Sequence, residues 1–464
     1  MKTLFANRLA LLVAGAFFME FLDGSIVATA LPRMSDSLGG TAVELHVGIS
    51  AYLLTVAVFI LPGGWVAERF GPRLVFSSAM ATFVVGSVFC GMAQSVPQFV
   101  AARVLQGIGG AMMVPVGRLI VLRTTEKSDL LQAMATLVWP ALTAPLFGPP
   151  LGGFFADHLT WRWIFFINLP LGIVGLFLAQ RLVPQLKSGD GRPFDLTGFL
   201  LGTLALIGLT SALDRAGDRT AQNSITLGLL CAGLAGGILF VRHIRRAAHP
   251  LVDPATFAIR SFRFVMFGGA AMRALIGGMP FLLPLTFQIG FGLPATDSGL
   301  LVLALFVGNI GIKPATSQIL RRFGFRGTMI GNGIIQAATM AGCAALTPQT
   351  PMAAILALLV VSGASRSMQF TALSTLGFAD VPQSAMTTAN TLVSVVTQLA
   401  IGVGVALGAM ALQASAQWRG ETGDLSLADF HAAFLLMAAL MIATVIDTAR
   451  LPASVGAIVA NRNK

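Results

Sequence analysis

Charge is what this chain of 464 residues has least of: only 11% of it is Asp, Glu, Lys or Arg. Soluble domains carry about 25%, because they need a solvated surface. With 55% of the residues apolar, an ordinary soluble protein is excluded. Cysteine is scarce too. Cys90, Cys231 and Cys343 lie far apart inside apolar stretches, so neither a disulfide framework nor a zinc site is indicated. They read as small apolar packing residues. The five histidines fall mostly in loops or at helix ends without ligand spacing, so no metal and no cofactor is expected. No G-x-x-x-x-G-K-S/T loop is present, nor a soluble domain to hold one, which argues against a nucleotide-driven pump. No nucleophile constellation stands out either, and no enzyme is expected.

What fills the chain instead is hydrophobic length. A bilayer-spanning helix needs about 20 apolar residues. Fourteen stretches meet that measure, near 9–31, 46–67, 74–94, 98–121, 131–156, 163–183, 196–214, 222–241, 264–289, 298–318, 327–346, 352–377, 386–412 and 428–449. The expected fold is an all-α polytopic membrane protein embedded in the lipid bilayer. The first stretch follows Lys2 and Arg8 and reaches Ala28-Thr29-Ala30, the outline of a secretory signal. Glu20 and Asp23 interrupt it, and a signal core has no use for acids, so it reads as the first membrane helix. The net charge of +11 is not gathered into a stripe suited to nucleic acid. About 21 of the Lys and Arg residues fall at the termini and in loops of one side and about five on the other, which puts both termini in the cytoplasm.

ERFGPR (68–73), after the second stretch, is echoed by RRFGFR (321–326) after the tenth. Such parallel repeats are a known way to build transporters from two similar halves. Six helices per half leave the seventh and eighth as an inserted pair. The expected division is 1–190 for an N-terminal six-helix bundle, 191–243 for the inserted pair, 244–263 for a cytoplasmic linker, and 264–464 for a C-terminal six-helix bundle.

A few charges remain inside the apolar stretches, where charge is expensive and marks a path for ions or solutes. At about 1.5 Å rise per residue, Asp23 and Arg103 come out at similar depths, roughly 12 and 8 Å from the outer ends of their helices. A contact between them is open to the fold. Burial and a neighbouring guanidinium act on a carboxylate's proton in opposite directions, so moving the arginine captures or releases a proton. A static ion pair holding two helices together is the alternative. Glu20 lies one turn before Asp23 on the same helix face. Two ionised acids so close repel, so one of them is expected to keep a proton; a neighbouring Ser, Thr or Gln satisfying Glu20 is the plainer reading.

The second half carries Arg273, Lys313 and Arg366, with Asp447 as its one clear intramembrane acid. Three cations without matching acids suit an anion-attracting wall in a central cavity, with Gln288, Asn309 and Gln369 adding hydrogen bonds. Pairing with helix C-termini or backbone carbonyls is the structural alternative.

Residues 63–73, GGWVAERFGPR, fit the pattern G-x-x-x-D/E-R/K-x-G-x-R/K in full. Gly64 suits close helix approach and Gly71 a tight turn. Glu68, with Arg69 and Arg73 beside it, suits a latch that breaks and re-forms between two arrangements. With this motif the chain resembles the major facilitator superfamily, specifically its fourteen-helix drug:proton antiporter branch. LDGSIVATALP (22–32) resembles that branch's first-helix signature, RVLQGIGGAM (103–112) its fourth-helix arginine motif, and APLFGPPLGG (144–153) its fifth-helix antiporter motif. WRWIFFINLPLG (161–172) resembles the start of its sixth helix. Among bacterial members the look is that of multidrug-type exporters. Ala28, Ser25 and Ala144 depart from the usual Asn, Thr and Gly of these signatures.

The resemblance implies that Arg103 serves proton handling, and that Gly148, Pro149, Gly152 and Gly153 belong to a seal or hinge of the kind antiporters carry. The expected function is proton-coupled secondary active export, of the drug:proton antiporter type, by alternating access. Its partners are a small-molecule substrate and protons. It is expected as a monomer, multi-pass, in a bacterial inner membrane. Export of an organic anion or metal chelate through the basic residues of the C-terminal half is the alternative, and an uptake symporter is the rival mechanism. A non-transporting membrane sensor also stands, since fold does not fix function.

Overall fold

Away from water a backbone must satisfy its own N–H and C=O groups, and a helix does so within itself. The computed structural model is helical through its apolar stretches, with no strand among the described residues. It describes residues 2–39, 42–126, 129–185, 193–216, 223–419, 425–452, 455, 456 and 459. We number the passes α1 (Lys2–Leu38), α2 (Ala42–Phe70), α3 (Pro72–Met92), α4 (Val96–Thr124), α5 (Leu130–His158), α6 (Trp163–Leu182), α7 (Leu196–Ala216) and α8 (Asn223–Ile244). The second half begins with α9 (Arg260–Gly290). Then α10 (Ala295–Gly311) runs on past a bend at Ile312 to residue 323, and α11 covers 325–343. Last come α12 (Met352–Ala379), α13 (Met386–Trp418) and α14 (Leu427–Thr448).

Eleven of the described helices are individually long and apolar enough to cross a bilayer. Asp297–Gly311 and Lys313–Cys343, inclined at 54°, qualify together, and Gly324 divides the second of them. The 29-residue α5 completes the fourteen. Several helices outrun their apolar stretches: α1 extends from Lys2 to Leu38, because a helix need not stop where the lipid does.

The echoed motif has a structural counterpart. Gly71 (φ 85°) ends α2, and Gly324 (φ 70°) ends α10, both in a conformation that L side chains avoid. Five positions after Glu68 and Arg321 respectively, an arginine closes the end of the sixth helix of each half. Arg73 donates to the carbonyl of Gln180 at the end of α6. Arg326 donates to the carbonyl of Ala449, just past α14, at 2.7 Å. A cation on the orphan carbonyls of a helix C-terminus also opposes its dipole.

Packing repeats as well. In the first half α1 lies on α5, α2 on α4, and α3 on α4 and α6; in the second, α9 lies on α13, α10 on α12, and α11 on α12 and α14. The inserted α7 and α8 pack on each other, with α7 against α2 of the first half and α13 of the second. Their outer faces are apolar and bare, as Ile238 at 67% exposure shows, which suits hydrocarbon rather than water. An even number of passes brings the start of α1 and the end of α14 to one side, here the terminal face.

Candidate functional site

The first half buries an ion pair. Arg103 Nη1 of α4 lies 2.6 Å from Asp23 Oδ2 of α1, and both side chains are fully buried. Gln106, one turn beyond Arg103, accepts from Arg103 Nη1 at 2.7 Å and donates through Nε2 to Asp23 Oδ1 at 2.8 Å. Asn168 of α6 donates to Asp23 Oδ1 at 3.1 Å and to Ser87 Oγ of α3 at 2.9 Å. Ser87 in turn donates to the Phe165 carbonyl at 3.0 Å. The rest of the Arg103 guanidinium faces the ring of Tyr52 on α2, 4.2 Å from its centroid. Both carboxylate oxygens of Asp23 are therefore bonded, in a network that draws on α1, α3, α4 and α6. No pattern in the sequence assigns Asn168 or Gln106 a chemical role.

Glu20 is in the opposite condition. Its Oε2 is shielded and has no hydrogen-bond partner, and the same holds for the Tyr52 hydroxyl. Both border Gly110 of α4: a Cβ built there would lie 3.1 Å from Tyr52 Oη and 3.5 Å from Glu20 Cδ. The charges acting on Glu20 are Asp23 and Arg118. Arg118 is inside α4 and donates to Ser394 Oγ of α13 at 3.3 Å. It thus stands between the halves.

The motif at the end of α2 meets the second half. A Cβ at Gly64 would come within 2.7 Å of Thr391 Oγ1, so only glycine allows α2 to approach α13 this closely. Glu68 accepts from Arg123 Nη2 at 3.3 Å, and the same nitrogen donates to Thr387 Oγ1 of α13 at 2.6 Å. Asn390 Nδ2 donates to the Pro115 carbonyl at 2.7 Å, and Gln383 Nε2 to the Arg123 carbonyl at 3.3 Å. These bonds join α4 to α13 and to the turn before it, on the terminal side of the molecule. Arg69 is exposed, and Arg73 is engaged within its own half, as above.

Beside this junction lies a cavity of about 470 Å³, lined by Gly64, Trp65, Glu68, Thr387 and Thr391 and by the segment that leads from α8 to α9. Asp195 ties that segment down: it accepts from Gly198 N at 2.8 Å, from Leu251 N at 3.0 Å, and bonds His243 Nε2 at 2.8 Å. Burial works against the charge of Asp195, but these bonds outweigh it and hold the carboxyl below the ordinary range.

Of the residues expected in a polar wall of the second half, some are bonded and others lack partners. Arg273 is 1% exposed; its Nε and Nη2 lack partners, and Nη1 makes a long 3.4 Å bond to the Val265 carbonyl. Lys313 donates to Thr371 Oγ1 at 2.9 Å. Arg366 leaves Nε and Nη1 unpartnered and lies 5.9 Å from the Phe370 ring centroid. Asn309 is buried with neither amide atom bonded. Gln369 is spent in packing, taking a 2.8 Å bond from Asn332 and giving one to Met272 Sδ at 2.9 Å. Gln288 is exposed in the wide turn Thr286–Gly290, about 22 Å along α9 from Arg273 at 1.5 Å per residue.

Of the fifth-helix motif, Gly148 is buried against Ser25 of α1, where an added Cβ would overlap its Oγ. That contact is within its own half, not with the opposite one. Gly152 is buried, and Pro149 and Gly153 lie on α5 outside the described side chains.

Two six-helix bundles of repeated packing, a buried acid–arginine pair and a glycine–acid–arginine motif at the end of the second helix define a membrane transporter fold. Residues 13–405 match the family described as the Major Facilitator Superfamily. The chain belongs to that family and is a multi-pass membrane protein. It is 36% identical to a Klebsiella pneumoniae protein carrying the multidrug-resistance name MdtD, over 98% of this chain and 97% of the relative. It is also 36% identical to a Haemophilus influenzae protein carrying the transport-protein name HsrA, over 87% of each. Among solved structures, the human organic anion transporter MFSD10 superposes with a TM-score of 0.67 over 96% of this chain and 99% of that one. The proton:xylose symporter XylE superposes at 0.66 over 98% of each. At 14% identity both likenesses speak for the fold alone.

Proposed function

We propose that the chain is a proton-driven exporter of small molecules that works by alternating access between its two six-helix halves. The observation that carries this reading is the pairing of Asp23, bonded at both carboxylate oxygens, with an unsatisfied Glu20 one turn away. A carboxylate already held by Arg103, Gln106 and Asn168 fixes helix positions. One with a free oxygen beside Tyr52 and Arg118 can take up and lose a proton as those neighbours shift. The Arg123–Thr387 and Gly64–Thr391 contacts support a state closed on the terminal face, and the family's likeness to multidrug-resistance relatives supports outward transport. The concentration of Lys and Arg on the terminal side supports placing it in the cytoplasm. We place the carrier, as a monomer without catalytic chemistry, in a bacterial inner membrane. Its division is into 1–190, 191–243, a linker over 244–263, and 264–464.

The reading is tested in proteoliposomes with an imposed pH gradient and ethidium as the lipophilic probe. Expected is ethidium movement against proton flow, abolished by Glu20→Gln at unchanged insertion. Full coupled exchange by that variant would remove Glu20 from the proton path.

A further inference from the structure

Glu20 and Arg273 stand at matching positions of the repeat. The spacing that separates Gly71 from Gly324 also separates Glu20 on α1 from Arg273 on α9. These two helices are equivalents, each packed on the fifth helix of its own half. The fold therefore sets an acid on one side of its pseudosymmetry and a guanidinium on the other. Arg118 is within electrostatic reach of both and is hydrogen-bonded to Ser394 of the second half. The other ionisable groups acting around Glu20 are Asp23, which is tied to Arg103, and Tyr52.

Neither end is satisfied. Glu20 Oε2 has no partner, and Arg273, 1% exposed, leaves Nε and Nη2 without one. A buried, uncompensated guanidinium is costly unless something pairs with it, and a carboxylate pairs with it best because the planar fork donates two parallel bonds to its two oxygens. We infer that this polarised junction binds a zwitterionic solute, its ammonium on Glu20 and its carboxylate on Arg273 and Arg118.

The inference rests on the exporter reading and explains the exchange that reading requires. The ammonium and the proton compete for one carboxylate, so the carrier holds one or the other and moves them in opposite directions. A purely anionic solute would not compete with the proton, and a purely cationic one would leave Arg273 uncompensated. Lys313, bonded to Thr371, is not needed.

The test uses the full chain in nanodiscs of neutral lipid, titrated with para-aminomethylbenzoate, with its methyl ester and with its N-acetyl derivative. The ester keeps only the ammonium and the acetyl derivative only the carboxylate. Apparent affinities come from thermal shifts. The zwitterion is expected to bind about tenfold tighter than either derivative, the usual weight of one buried charged hydrogen bond. Arg273→Gln erases the advantage over the ester, Glu20→Gln erases that over the acetyl derivative, and Arg273→Lys restores part of the first. The proposal is overturned if the ester or acetyl derivative binds the unaltered protein as tightly as the zwitterion. Unchanged selectivity in Arg273→Gln, or no shift by the zwitterion at millimolar concentration, overturns it too. Exchange of ethidium for protons without any preference for the zwitterion sinks this inference and leaves the exporter standing. Zwitterion-selective binding with no proton exchange of any probe sinks the exporter reading instead.

Discussion

Arg123 of α4 donates to Thr387 Oγ1 of α13 at 2.6 Å while reaching Glu68 of α2 at 3.3 Å. One guanidinium thus ties the motif of the first half to the first turn of a helix in the second. Thr387→Val keeps the shape and removes the acceptor, at a cost of about 1 kcal/mol, which is about fivefold in population. The expected result is more labelling of a reporter cysteine placed at Thr388, read with a membrane-impermeant maleimide from the terminal side. Unchanged labelling would show that the bond does not hold this face closed.

Gly64 sets how near α2 comes to α13. In Gly64→Ala the new methyl group meets Thr391 Oγ1 at 2.7 Å and Thr387 Cγ2 at 3.0 Å, and overpacking of this kind costs about 1–3 kcal/mol. The halves should separate on this side. A spin-label pair on α2 and α13 should report a longer mean distance, with transport slowed and expression kept. Gly64→Ala combined with Thr391→Ala should recover the short distance.

Asp23 and Glu20 should differ in what they do for stability. Asp23→Asn leaves Arg103 buried and uncompensated, a loss of about 3–5 kcal/mol for a broken buried pair. Glu20→Gln removes a carboxylate whose Oε2 had no partner, and should leave the melting temperature unchanged or raised. The double change Asp23→Asn with Arg103→Gln should recover much of the first loss. Equal melting temperatures for Asp23→Asn and Glu20→Gln would contradict the division of roles between them.

Asp195 anchors the segment between α8 and α9 through Gly198, Leu251 and His243. Its carboxyl is held below the ordinary range, so its contribution is fully present above the unfolded value of about 3.9 and is lost as pH falls through the lower folded value. Protease cutting near Leu251 should be slow at neutral pH and rise only below about pH 4. In Asp195→Asn it should already be fast at neutral pH. Equal cutting rates in both proteins would show that the segment is held elsewhere.

The depth of Asp23 and Arg103 could be counted along two helices, and counting sufficed to make their contact plausible. Gln106 and Asn168 were another matter. A neutral amide in a helix carries no periodic signature, and only its place one turn from Arg103 marked Gln106. Arg118 sits close to a basic helix end, where a buried arginine has no distinctive pattern, and α4 continues past it to Thr124. For Arg273, Lys313, Arg366, Gln288, Asn309 and Gln369 the sequence is silent on a related point. Polarity places a residue in a helix, but the direction in which a side chain leaves the helix depends on its neighbours.

From sequence alone came the number of passes, the two-fold repeat with its inserted pair, and the two glycine turns, because lipid admits little besides uninterrupted apolar helices and a turn without a side chain leaves its own letter. The pairing of helices α1, α3, α4 and α6 around Asp23 and the closure of α2 on α13 were decided in three dimensions. Those contacts join residues far apart along the chain, and their energies depend on distance and burial, which no linear pattern records.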